Sequence, residues 1–191
     1  MKKSIIIFVI SLLLINCSKN DTSPPKVYEE EKPFEGFKTA TGVNKEIAFS
    51  LTNSYEYGFQ FSSKVNGKIK AIKVNLPNVS NVSIRFSIWD YQTKERLYNL
   101  AFSQLVAVRG EKIIEFTIEK DRRYLISMNS KNWYQRKKMD DSNLNYPIQI
   151  GNITYYSYQE IQCTDTQVLF PSVVKTFFYN GDLDFTFQQT D

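Results

Sequence analysis

From about residue 44 the chain alternates apolar and polar residues with a period of two. "EIAFSLT" places Ile47, Phe49 and Leu51 on one face, and "YEYGFQFSS" does the same with Tyr57, Phe59 and Phe61. "NVSIRFSIW" sets Val82, Ile84, Phe86 and Ile88 against Ser83, Arg85, Ser87 and Trp89. "KVNGKIKAIKVNLP" carries a turn at Asn66-Gly67 before Ile72, Val74 and Leu76, and Gly67 suits the left-handed geometry of a hairpin turn. "RLYNLAFSQ", "EKIIEFTI", "RRYLISMNS", "PIQIGNITYYSY" and "LDFTFQQ" continue at meander spacing. The pattern predicts about nine short strands separated by Asn, Gly, Asp and Lys clusters. No stretch of ten or more residues holds a 3.6 period. Strands with one polar face belong to antiparallel sheets, and that many need a second sheet to cover their apolar side. The fold class expected is all-β, an antiparallel, jelly-roll-like β-sandwich, with a closed barrel as the alternative.

The first residues follow another logic. "SIIIFVISLLLI", residues 4–15, is an apolar run behind Lys2 and Lys3. It is too short for a membrane-spanning helix, which needs about 20 residues, and has the length of a secretory core. With Leu14 three residues before Cys17, the segment resembles a bacterial lipoprotein signal. That resemblance implies a diacylglyceryl group on the Cys17 thiol, cleavage before it, and acylation of the new amine. Asn16 departs from the Gly, Ala or Ser usual before the cysteine. Two or three acyl chains hold a protein firmly to a membrane where one does not. "SKNDTSPP" resembles the flank that sends Bacteroidetes-type lipoproteins to the outer surface, so the expected location is the outer membrane of the cell envelope, lipid-anchored. The expected organisation is a signal peptide at 1–16, a lipidated Cys17 with a flexible tether over 17–35, and the sandwich over 36–191. Glu29-Glu30-Glu31 is expected as a solvated part of the tether. Cys163 is expected as a half-buried thiol near a strand end, with a Cys17–Cys163 disulfide as the competing reading.

Composition narrows the chemistry. The 191 residues contain no histidine, which removes histidine-based triads and histidine-ligated metal sites. The formal charge of +4 falls to +2 without Lys2 and Lys3, and no basic face is clustered for nucleic acid. No phosphate-cradling glycine loop and no zinc spacing occur. No cofactor and no metal are expected. Asp140-Asp141 and Asp182-x-Asp184 offer oxygens of the kind calcium takes, without the spacing of a calcium loop.

"EYGFQFSSKVNGKIKAIKVNLP", residues 56–77, resembles the opening of a bacterial β-sandwich family. That family is catalogued as a domain of unknown function in exported, often carbohydrate-associated proteins. Glu56, Gly58, Phe61, Gly67, Ile69 and Ile72 carry the likeness. "FSIWD", "RLYNLAFS", "GEKIIEFTIEKDRRYLISM" and "GDLDFTF" extend it over residues 46–188. The resemblance implies a jelly-roll-like sandwich and no catalytic residues. Independently of it, Gly58 suits a bulge and Trp89 is expected to cap one end of the core.

"NSKNWYQRKKMDDSNLNYP", residues 129–147, is the longest polar loop expected, and loops on a rigid sandwich often carry function. Trp133 and Tyr134 would offer flat faces to a sugar ring; Asn132, Gln135, Arg136, Asp140 and Asp141 would bond its hydroxyls. Tyr155, Tyr156 and Tyr158 of "TYYSY" form a second candidate platform. The competing reading makes the aromatics structural. The function expected is a non-catalytic envelope lipoprotein binding a glycan or an envelope component. The alternative is an accessory or structural subunit of an outer-membrane protein complex. A hydrolase would need two carboxylates converging in one cleft.

Overall fold

The computed structural model describes residues 26–77, 84–102 and 109–191; the leader, Cys17 and the first part of the tether lie outside them. The described residues form β1 (Glu30–Glu31), α1 (Pro33–Thr41), β2 (Lys45–Ser63), β3 (Gly67–Asn75), β4 (Ile84–Asp90) and β5 (Arg96–Phe102). β6 (Arg109–Ile118), β7 (Tyr124–Lys137), β8 (Ile148–Ile150), β9 (Ile153–Cys163), β10 (Val173–Lys175), β11 (Phe178–Asn180) and β12 (Asp182–Gln189) follow. One sheet has the order β1-β12-β3-β6. The larger has the order β10-β9-β2-β7-β4-β5, with β11 beside β7 and β8 beside β9. All of these strand pairs are antiparallel. The fold is an all-β sandwich, with more strands than the sequence pattern suggests.

The period-two faces of the second half of β2, of β3 and of β4 meet as expected, while Leu51 in the first half of β2 is exposed and Val82 lies outside the described residues. Tyr57, Phe59 and Phe61 of β2 and Ile84, Phe86 and Ile88 of β4 share one buried cluster with Ile72 and Val74 of β3 and Leu183, Phe185 and Phe187 of β12. Its aromatic rings interlock edge to face: Phe59 lies 5.7 Å from Tyr155, 5.5 Å from Tyr158 and 5.4 Å from Tyr179. Such pairs add about 0.5–1.5 kcal/mol each beyond the area they bury.

The helix is the main departure. Pro33 opens it, where a missing N–H costs nothing. Gly42 ends it at φ 66°, its N–H donating to Thr39 O at 3.2 Å. Phe34 and Phe37, one turn apart, are both buried. The Phe37 ring lies 5.2 Å from Phe59 and 4.7 Å from Tyr155, so α1 is wedged into the aromatic core and contacts β12 and β8. Residues 30–35, expected in the tether, therefore belong to the folded unit. Glu30 pairs with Gln188, and the Glu31 carboxylate accepts hydrogen bonds from Asn152 N at 2.9 Å and Asn152 Nδ2 at 2.5 Å.

Three further expectations change. Residues 129–137 are strand, not loop: β7 runs on past Asn129 to pair with the first half of β2 and with β11. Gly67 lies at the start of β3 without a positive φ; it is needed because a Cβ there would strike the Phe187 ring. Trp89 caps no core end. It lies on the outer face of the larger sheet, where its Nε1 donates to Ser127 Oγ at 2.8 Å.

Candidate functional site

The extension of β7 brings Tyr134 and Arg136 to a cleft of about 690 Å³. Register builds most of its wall. Asp184 of β12 stands opposite Lys73 of β3, which stands opposite Glu111 of β6; Asp182 stands opposite Asn75. Glu46 of β2 stands opposite Arg136. Phe34, Glu35 and Lys38 of α1 complete the lining.

Arg136 organises one end. Its Nε donates to Asp182 Oδ1 at 2.5 Å and its Nη2 to Asp182 Oδ2 at 2.6 Å, a bidentate pair. Nη2 also lies 2.6 Å from Glu46 Oε2, and Asn75 Nδ2 donates to Asp182 Oδ2 at 2.9 Å. The hydrogen bonds to Asp182 hold the guanidinium proton above its ordinary range, and the Asp182 and Glu46 charges add to this. At the other end Lys73 Nζ lies 3.7 Å from Glu111.

Between them Asp184 is different. Its Oδ1 is buried and has no hydrogen-bond partner. Burial pushes this carboxyl up to about 6; the Phe185 N–H and the Lys73 charge oppose that rise, and Glu35 reinforces it. The lining holds five carboxylates (Glu35, Glu46, Glu111, Asp182, Asp184) against three cations (Lys38, Lys73, Arg136).

Of the ligand-binding residues proposed from sequence, only Tyr134 and Arg136 share this cleft, with Asp182 and Asp184 of the calcium-type pair. Trp133, 3% exposed, is core: its ring is 6.1 Å from Phe49 and 5.5 Å from Tyr57, leaving no face for a ligand. Tyr155, 1% exposed, is walled in by Phe37 and Phe59. Asp140 and Asp141 follow β7 in an exposed turn. Asp141 pairs with Lys137 at 2.6 Å, and Asp140 Oδ1 accepts from Ser142 N at 3.0 Å. Both carboxyls are held below their ordinary value, Asp140 by the Ser142 hydrogen bonds and Asp141 by the one from Lys137. Tyr156 stands on the outer face of the larger sheet, its hydroxyl 3.1 Å from Ser62 Oγ and its ring 4.1 Å from the Arg123 guanidinium.

Asp182-x-Asp184 does line the cleft, yet Arg136 occupies the first carboxylate. Among the described residues no group of three or more Cys, Asp or Glu is placed to hold a metal. Cys163 is a free thiol, buried at the end of β9, its Sγ 3.0 Å from Asn129 Nδ2. Sequence reasoning missed Glu35, Lys38, Glu46, Lys73 and Glu111. The first two sit in or beside the expected tether, and the others meet only through strand register. No protein-family model matches the chain, and no curated protein matches it.

Proposed function

We propose that this protein is a non-catalytic envelope lipoprotein, anchored by Cys17, whose sandwich binds a glycan in the cleft beside α1. The observation that carries the reading is the cleft itself: the half-exposed Tyr134 ring beside a fixed Arg136–Asp182 pair, with Asp184, whose Oδ1 has no partner, in the same lining. An aromatic ring flanked by carboxylates, an amide and a guanidinium suits a polyhydroxylated ring, apolar on its faces and hydroxylated at its edge. The excess of carboxylates over cations disfavours polyanions and favours neutral or amine-bearing sugars.

Affinity electrophoresis of the full chain through gels of glucan, xylan, mannan and chitosan tests this. Retardation in at least one gel supports the reading. Release of reducing ends by the wild type, lost in Asp184→Asn, would replace it with a hydrolase using Asp184 as its acid and Glu35 as its partner. Val173 and Val174 of edge strand β10, with nearby Phe177, are exposed and favour the second reading, an accessory subunit of an envelope complex. Co-purification of a stable complex, lost on Val174→Lys, would support it.

A further inference from the structure

The outer face of the larger sheet is polar but buried, which is unusual for the solvent side of a sandwich. Ser87 of β4, Ser127 of β7, Gly58 of β2 and Gln159 of β9 stand opposite one another in a row across four strands. In the next row stand Trp89, Leu125, Gln60 and Ser157. Gly58 lies near the middle of this face, where a Cβ would strike the Ile126 carbonyl and the Ser127 backbone. No side chain therefore stands between Ser127 and Gln159 in the first row, where β2 and β7 pack backbone against backbone.

Two groups in these rows lack partners. Gln60 is 4% exposed and Ser87 is 0% exposed, yet Gln60 Nε2 and Ser87 Oγ make no hydrogen bond. A buried polar group left unmade costs about 1–3 kcal/mol, so these positions suit a ligand that completes them. Beside these rows the Glu56 carboxyl accepts from Arg85 Nη2 at 3.2 Å and from Ser127 Oγ at 2.6 Å. What remains is amide, hydroxyl and one indole: the chemistry of a neutral, polyhydroxylated chain.

Residues 164–172, between β9 and β10, cross this face as a strap. Phe170 packs edge-on against Trp89 at 5.7 Å and lies 5.9 Å from Tyr91, covering the aromatic face on which a sugar ring would stack. Elsewhere the strap is held mainly by polar contacts: Arg85 donates to the carbonyls of Asp165 and Gln167, and Ser54 to the Asp165 carboxylate. Residues 164–168 are exposed. A segment with so few buried apolar contacts opens at low cost.

We propose that this buried polar face is a second binding site, for a neutral polysaccharide chain, and that Phe170 of the strap covers it until displaced. The site is independent of the cleft, and the test separates the two. In a Tyr134→Ala chain, with the cleft impaired, adding Phe170→Ala is expected to tighten binding to a neutral glucan, xylan or mannan at least 5-fold over the Tyr134→Ala parent. Adding Gln60→Ala to that double variant is expected to weaken it about 10-fold. Hydrogen exchange of the wild-type full chain supplies a readout free of substitutions: strap amides exchange faster than those of β9, and a saturating neutral polysaccharide raises the exchange of 164–170 as the strap is displaced. Unchanged affinity in folded Phe170→Ala chains, or strap exchange unmoved by every neutral polysaccharide, would overturn the proposal.

Discussion

At Asp184 an ionisable group is buried without a full set of partners, and that has a measurable signature. Its folded value of about 6 lies above the ordinary 3.8, so folding favours the neutral acid. The penalty is absent below about pH 4 and grows as pH rises through 6, reaching about 3 kcal/mol at neutrality. Urea unfolding of Asp184→Asn is therefore expected to show a gain of about 2–3 kcal/mol at pH 7.5 and none at pH 4. A gain independent of pH would contradict the assignment. Arg136 has the opposite role. Arg136→Ala leaves Asp182 buried and unpaired, at a cost of about 3–5 kcal/mol. Arg136→Lys restores the charge but not two parallel bonds, and is expected to recover only part of the loss in the same unfolding experiment. The sequence singles out Arg136 as a hydrogen-bonding candidate and Asp184 as a calcium-type oxygen, but neither the Asp182 partner nor the burial of Asp184 is legible there. Trp133 and Tyr134 look equally suited to meet a sugar, and only the irregular register between Ser50 and Tyr55 of β2 decides that the tryptophan goes to the core.

The strands of the sandwich were legible where one face is apolar, as in β2 and β4, because period two needs only local sequence. The second half of β7 was not: "NWYQRK" contributes one core residue, and its strand character comes from pairing with Lys45–Ser50, some 85 positions away. The helix was hidden for a different reason. Nine residues give only two turns and a half, and its apolar signal is Phe34 and Phe37 alone, behind the charged run that ends at Lys32. Pro33 and Gly42 are its start and stop signals, visible in retrospect. Because Phe37 meets three aromatic rings from β2, β9 and β11, Phe37→Ala is expected to cost about 3–5 kcal/mol. It should also loosen the cleft wall formed by Glu35 and Lys38. Thermal unfolding of that variant checks the first effect. A shift below 2 °C would mean that α1 is a surface appendage and not a wedge.

As a whole, the molecule joins two functions at different ends of the chain. On the proposed reading the leader and Cys17 place it at the membrane, and metabolic labelling with a fatty acid, abolished by Cys17→Ala, is the expected outcome of a direct test; label retained in that variant would overturn the anchor. The described domain begins by Glu30, so the proposed tether after Cys17 is shorter than composition alone implies. Among the described residues no helix is long and apolar enough to cross a membrane. On the proposed reading the cleft beside α1 takes a neutral or amine-bearing glycan through Tyr134. The most direct measurement is affinity electrophoresis of wild-type and Tyr134→Ala chains across the polysaccharide panel. Retardation of the wild type is expected in at least one gel, with at least a 10-fold weaker interaction in Tyr134→Ala at an unchanged melting temperature. Equal migration of the two chains in every gel would contradict it.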